Sequence, residues 1–145
     1  MLKKDPPIIT QQNFNQPIEK VWNALTKFEL MRLWFFDNIP YFEAKVGFKT
    51  QFNVQSENRD FLHLWTVVEV IPFKKITCNW KYQNIEGDSN VTFELEETNQ
   101  GTTLTVTCEV LKDFPLHIPE FKTESCQAGW QYFINNQLKE YLSES

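Results

Sequence analysis

Few side chains in this sequence are suited to proton-transfer chemistry. The only two histidines are His63 and His117, and histidine is the residue whose ordinary pKa lies nearest neutral pH. Asp113 lies close to His117 along the chain, so an acid–imidazole pair is one candidate, and Tyr41 and Tyr82 are further candidate acid–base groups. No GxSxG, Walker or GxGxxG motif accompanies them. The sequence therefore favours a binding protein over an enzyme.

Metal binding needs several donor side chains that converge on one point. The three cysteines, Cys78, Cys108 and Cys126, are widely spaced and form no CxxC pair. Two distant histidines and scattered carboxylates do not complete a ligand set. We expect no metal and no cofactor, and we interpret each cysteine as a small buried hydrophobic residue in a reducing compartment.

Aromatic side chains are the more informative set. They form 15% of the chain, with 13 Phe and 5 Trp. Large rings either line an apolar cavity or fill an interior completely, and a continuous cavity larger than about 300 Å³ would distinguish the two. The candidate pocket residues are Trp34, Phe35, Phe52, Trp80, Phe93, Phe114, His117, Trp130 and Phe133.

Length and charge limit the classes of partner. A chain of 145 residues predicts one domain over residues 1–145, of which residues 1–7 are expected to be a flexible lead. The net charge is −5 with no Lys/Arg cluster, which argues against nucleic-acid binding. No apolar run is long enough to span a membrane, and no signal peptide follows the first lysines. We expect a cytoplasmic protein, either a monomer or a homodimer.

The elements that must position the aromatic residues follow a simple order. Residues 8–15 alternate as an edge strand, a helix follows from Pro17, and a second short helix covers residues 29–34. Alternating strands with short turns occupy residues 41–111, which implies antiparallel pairing. A long amphipathic helix that starts at Pro119 closes the chain, and Gly129 within it is expected to admit a strand or a ligand. This order predicts an α+β protein.

The strand over residues 61–71 is apolar on both faces for part of its length, so we expect a central strand or one with a covered outer face. Without a bulge, His63 lies on the same face as Trp65, Val67 and Glu69.

Several phrases, in one shared order, resemble a known family. They are Phe14-x-x-Pro17-x-x-x-Val21-Trp22-x-Ala24-Leu25-Thr26, Leu33-Trp34-Phe35, Val46-Gly47-Phe48, Val68-Glu69-Val70-Ile71-Pro72, Val91-x-Phe93-x-Leu95, Gly101-Thr102-x-Leu104 and Gly129-Trp130-x-x-Phe133. Together they resemble the START-like (SRPBCC) superfamily, in the branch named after the activator of the ninety-kilodalton heat-shock chaperone's ATPase. The resemblance implies a helix-grip fold: a curved antiparallel sheet wrapped around a long C-terminal helix, with two short helices after the first strand.

The resemblance leaves three functions open. Relatives bind lipids, sterols, aromatic polyketides or hormones, which implies a hydrophobic small-molecule ligand. The family name implies a protein-interaction or stress-related chaperone co-factor, although the activator proper has an additional N-terminal domain for which this chain has no room. Some relatives are cyclases or oxygenase subunits, which implies an enzyme acting on an aromatic substrate. Members often have Gly in the strand before the Val68-Glu69-Val70 phrase, where this sequence reads Leu64-Trp65-Thr66, so we expect Trp65 either to narrow the cavity or to cover the outer face of the sheet at a dimer contact.

Overall fold

The computed structural model describes residues 1–143 as one sheet with helices on its inner face; residues 144 and 145 of the expected domain lie outside the described part. The strands are β1 Ile8–Phe14, β2 Lys49–Ser56, β3 Arg59–Ile71, β4 Lys75–Tyr82, β5 Asp88–Thr98 and β6 Gly101–Lys112. The helical elements are α1 Ile18–Thr26, α2 Phe28–Trp34, a 3-10 turn Pro119–Phe121, α3 Thr123–Trp130, a π-helical segment Gln131–Leu138 and α4 Lys139–Ser143.

The six strands form one antiparallel sheet in the order β1-β6-β5-β4-β3-β2. Strands β2 to β6 are therefore sequential hairpins, and β1 pairs with β6 at an edge. The first hairpin turns at Glu57 and Asn58, which both have positive φ, 49° and 67°. Positive φ at two central residues matches the right-handed twist of the flanking strands. The predicted α+β helix-grip fold is confirmed.

Alternation along each strand separates an apolar inner face from a polar outer face. On β6, Leu104, Val106 and Cys108 are buried, whereas Thr105 and Thr107 between them are only partly buried on the opposite face. The inner face of the sheet therefore carries the core, and the helices must cover it.

The C-terminal helix comprises α3, the π-helical segment and α4 without interruption. Its buried side chains recur every four residues, at Trp130, Ile134, Leu138 and Leu142. A regular α-helix has 3.6 residues per turn, so a four-residue stripe would drift around its axis. The wider turns of a π-helix compensate for this drift and keep the stripe on the sheet. Among residues 1–143, no helix is long and apolar enough to cross a membrane.

The C-terminal helix begins later than predicted. Pro119 lies in the separate 3-10 turn, and Lys122 after it has an extended backbone, φ −72° and ψ 146°. The helix therefore starts at Thr123. Three side-chain hydrogen bonds attach it to β1. Gln127 Nε2 donates to Thr10 Oγ1 at 3.0 Å, and Asn135 Nδ2 donates to the Gln11 carbonyl at 2.8 Å and to Gln12 Oε1 at 2.9 Å.

The first residues contact the rest of the domain in the structure, whereas the sequence suggested a flexible lead. The side chain of Met1 is buried, and its amino group donates to the Phe121 carbonyl at 2.6 Å. The Lys3 amide donates to Asp113 Oδ1 at 2.7 Å. These contacts attach the segment to the loop and 3-10 turn that precede the C-terminal helix.

A bulge in β3 changes which side chains face inward. The register with β4 shifts between Val67 and Glu69, so Val67 is buried whereas Glu69 lies on the surface and pairs with Lys75 Nζ at 3.0 Å. The expected common face of His63, Trp65 and Glu69 is therefore interrupted. Trp65 points into the core with 3% of its surface exposed, so it narrows the interior and does not form an outer dimer contact.

Replacing Gly101 by Ala should destabilise the β5–β6 hairpin. Gly101 has φ +149°, and an added Cβ would lie 2.1 Å from the Phe14 carbonyl oxygen. We expect Gly101→Ala to lower the free energy of unfolding by about 2 kcal/mol or more, measured by urea titration. Gly47→Ala is the matched control, because Gly47 also has positive φ, +92°, but an added Cβ would have no heavy atom within 4 Å. Equal losses in the two variants would show that the collision at Gly101 has no effect.

Candidate functional site

An unfilled space of about 140 Å³ lies between the inner face of the sheet and the C-terminal helix. We call it the main cavity. Strands β3 to β6 form one wall, the C-terminal helix forms the opposite wall, and the segment after α2 closes one side. Its lining residues are Met1, Phe35, Phe36, His63, Trp80, Tyr82, Ser89, Val91, Cys108, Phe114, Glu120, Phe121, Cys126, Gly129, Trp130 and Phe133.

A second, small cavity of about 20 Å³ lies deeper, beside α2. Its lining residues are Leu25, Met31, Trp34, Phe35, Phe42, Trp65, Ile76, Cys78, Trp80 and Phe93. Phe35 and Trp80 line both cavities, with ring centroids 6.3 Å apart, and so contribute to the partition between them. The buried Nε1 of Trp65 has no hydrogen-bond partner in the described part of the chain. The rings of Phe42 and Phe52 stand nearly perpendicular to the indole, an arrangement that permits a weak N–H contact with a ring face.

Most of the predicted pocket residues border these cavities. The main cavity has Phe35, Trp80, Phe114, Trp130 and Phe133 in its wall, and the small cavity has Trp34 and Phe93 with the shared Phe35 and Trp80.

Two predicted pocket residues lie in neither wall. Phe52 stacks on the far side of His63, with ring centroids 5.0 Å apart, and His117 is exposed. The main cavity is also smaller than the expected 300 Å³, because the rings that were predicted to line it occupy most of the interior.

Several lining residues were not among the predicted pocket set. The alternation of β4 and β6 does place Tyr82 and Cys108 on the inner face, and the helical stripe includes Cys126, so their positions were predictable from spacing. Glu120 was not predictable in this way, because the sequence indicated the first turn of a helix where the structure has a 3-10 turn.

His63 is a neutral imidazole at the wall of the main cavity. Burial lowers its pKa from 6.5 to about 4, and a hydrogen bond to the Phe61 carbonyl opposes this only in part. Since a carbonyl oxygen only accepts, Nδ1 carries the proton and donates to Phe61 O at 2.9 Å. Nε2 therefore holds a lone pair and acts as a hydrogen-bond acceptor.

Tyr82 is a second polar group of the wall. Its hydroxyl oxygen accepts from Trp80 Nε1 at 2.8 Å, which leaves the hydroxyl proton available for donation. Burial raises the pKa of Tyr82 well above its usual range, so it remains a neutral phenol. Its role in this geometry is to orient a partner rather than to act as a base.

The two cysteines of the wall form a thiol pair. Cys108 on β6 and Cys126 on α3 share a hydrogen bond, and this bond together with burial raises the pKa of Cys108 well above its usual range. The same bond lowers the pKa of the half-buried Cys126. Cys78, in the wall of the small cavity, has its pKa raised to about 12 by burial. The raised pKa values make Cys78 and Cys108 poor nucleophiles.

The remaining candidate acid–base groups lie elsewhere. Asp113 accepts from the Lys3 amide and is not paired with His117. Tyr41 is exposed, and its hydroxyl donates to Glu43 Oε1 at 2.7 Å. Within residues 1–143, no three His, Cys, Asp or Glu side chains form a group that could hold a metal ion. The arrangement is suited to enclosing a small molecule.

The buried His63 should make stability depend on pH. Between pH 6.5 and about 4 the unfolded chain binds a proton at this residue and the folded chain does not, so the free energy of unfolding falls as the pH falls. We expect His63 to contribute a loss of about 2 kcal/mol between pH 7 and pH 5. Urea titrations of the wild type and of His63→Phe measure this contribution as the difference in their pH dependence.

His117→Gln is the matched control, because the His117 side chain lies in solvent. If His63→Phe loses as much stability on acidification as the wild type, the contribution assigned to His63 is absent.

Solved structures with this architecture are known. Protein CV1439 from Chromobacterium violaceum is 20% identical, with a TM-score of 0.78, and the match covers 94% of this chain and 96% of that chain. Protein BH1534 from Bacillus halodurans is 26% identical, with a TM-score of 0.71 and coverage of 95% and 97%. DynU16, a protein in the dynemicin biosynthetic locus, is 21% identical, with a TM-score of 0.76; the match covers 96% of this chain and 48% of that chain.

A search of curated proteins finds no match to this chain. A family model does match: its description is Activator of Hsp90 ATPase homolog 1-like protein, and it covers residues 15–143. The match begins three residues before α1, ends with α4 and includes five of the six strands. The chain therefore belongs to the family of Activator of Hsp90 ATPase homolog 1-like proteins, within the START-like superfamily.

Proposed function

We propose that this protein binds a compact apolar molecule, about the size of one aromatic ring, in the main cavity. The observation that carries the proposal is an unfilled volume of about 140 Å³ lined by aromatic rings on both walls. An engineered apolar cavity of about 150 Å³ takes up benzene, so the available space is sufficient for a single ring.

The unfilled space itself supports binding. Packing alone would favour a larger side chain at one of the lining positions, because protein interiors are close-packed. Space left open among aromatic rings, with a few polar groups in its wall, is what a small-molecule site requires.

Gly129 supports the same conclusion. It lines the main cavity, and a Cβ added there would have no heavy atom within 4 Å. Glycine in a helix interior costs about 1 kcal/mol relative to alanine, so alanine would be both more stable and sterically permitted. Because glycine has no side chain, this position leaves open space next to Cys126 and Phe133.

The polar groups of the wall favour binding over catalysis. His63 is a neutral imidazole, and the raised pKa of Cys108 keeps that thiol protonated, so neither group is a strong base or nucleophile. Binding of hydrophobic ligands is also what the START-like resemblance implies. The protein-interaction alternative loses its main structural motivation, because Trp65 is buried.

Filling the cavity should abolish binding without unfolding the protein. We expect toluene to stabilise the wild type by about 2.7 kcal/mol at a free concentration of about 100 Kd. Gly129→Leu, which projects a side chain into the cavity, should remove this stabilisation while leaving the unliganded protein at least as stable. Thermal unfolding with and without toluene, together with calorimetric titration, measures both effects.

Ala128→Leu is the matched control. It adds the same side chain to the neighbouring residue of α3, which is exposed and does not line the cavity, so toluene binding should be retained. Absence of toluene binding in the wild type, or normal binding in Gly129→Leu, would contradict the proposal.

A further inference from the structure

Glu120 places a carboxylate oxygen without a partner in the interior. Its Oε2 accepts from Ser56 Oγ at 2.9 Å and from Arg59 Nη1 at 3.3 Å. Its Oε1 is buried and has no hydrogen-bond partner in the part of the chain that the structure describes. A buried acceptor without a partner destabilises a protein, and a charged acceptor does so most. The arrangement therefore favours a donor that is not part of the protein.

The carboxylate belongs to the wall of the main cavity. Glu120 lies in the 3-10 turn, and its neighbour Phe121 is buried against Tyr82 and Phe114, with ring centroids 5.1 Å and 5.0 Å away. The Met1 amino group also donates a hydrogen bond to the Phe121 carbonyl. The turn is thus fixed on several sides, and Oε2 is held by the β2–β3 hairpin.

None of the other polar groups of the wall that the structure describes donates to Oε1. The Met1 amino group donates to the Phe121 carbonyl, Ser89 Oγ donates to the Trp80 carbonyl, and the Tyr82 hydroxyl accepts from Trp80 Nε1. His63 Nε2 is itself an acceptor. The cavity thus presents two acceptors, at Glu120 and His63, and one hydroxyl donor, at Tyr82, among aromatic rings.

We propose that the ligand of the main cavity is a single aromatic ring bearing one N–H or O–H donor, with the donor hydrogen-bonded to Glu120 Oε1. This inference rests on the proposed function and adds the chemical class of ligand. The ring occupies the space between Trp80, Trp130 and Phe133, and the donor satisfies the carboxylate oxygen. A ring of the same size without a donor leaves that oxygen unsatisfied and binds more weakly.

Toluene, aniline and phenol test this selectivity, because they have the same shape and differ in one group. Calorimetric titration of the full chain should give aniline or phenol about tenfold tighter binding than toluene. Glu120→Gln should reduce this preference to about threefold or less while toluene still binds, which also shows that the variant is folded. Ser56→Ala is the matched control: it removes a partner of Oε2, leaves Oε1 in place and should retain the preference.

The outcomes separate this inference from the proposed function. Equal binding of all three compounds leaves the apolar binding function standing and overturns the donor selectivity. Binding of aniline or phenol without toluene supports the donor contact and overturns a purely apolar site. Binding of none of the three overturns both. A preference that persists in Glu120→Gln shows that Glu120 is not the acceptor.

Discussion

The packing of the C-terminal helix on the inner face of the sheet is the contact on which the rest of the structure depends. A curved antiparallel sheet exposes one apolar face, and one helix must cover it. The four-residue stripe from Trp130 to Leu142 provides this cover, with the π-helical segment keeping the stripe aligned. The same contact defines the cavity, because the helix lies over the sheet without filling the space beside Gly129.

The shape of this cavity is decided by the distribution of rings around it. Trp80 on the sheet and Trp130 on the helix meet at 5.6 Å in a nearly perpendicular arrangement, and Phe35 and Phe133 do the same at 4.9 Å. Edge-to-face pairs are favourable but cannot close-pack on every side. The small residues Gly129 and Ser89 leave the volume between these rings open. The main cavity is therefore a consequence of ring geometry combined with a few small side chains.

The fold was predictable from the sequence because strand alternation and the helical stripe are local patterns with fixed periods. On β6, the spacing of Leu104, Val106 and Cys108 is sufficient to identify the inner face. The bulge near Val67 was not predictable, because no pattern of residue types along β3 indicates it. It nevertheless moves Glu69 from the inner face of the sheet to the outer face.

The candidate site was predictable only in part. Aromatic residues on opposed elements indicate which rings can meet, and five of the predicted aromatic pocket residues line the main cavity. The volume left between them depends on side-chain rotamers that no sequence pattern reports. Glu120 reaches the wall because Lys122 adopts an extended backbone and separates the 3-10 turn from the helix, which is a single-residue event.

The rings of Phe35 and Trp80 face both cavities at once. Rotation of Phe35 away from the partition would join the two spaces, but it would disturb contacts with Trp34, Trp130 and Phe133, whose ring centroids lie 4.6, 6.0 and 4.9 Å away. Each aromatic pair contributes about 0.5–1.5 kcal/mol beyond area burial, so a ligand that needed this rotation would lose more than about tenfold in affinity. The partition thereby sets the upper limit on ligand length.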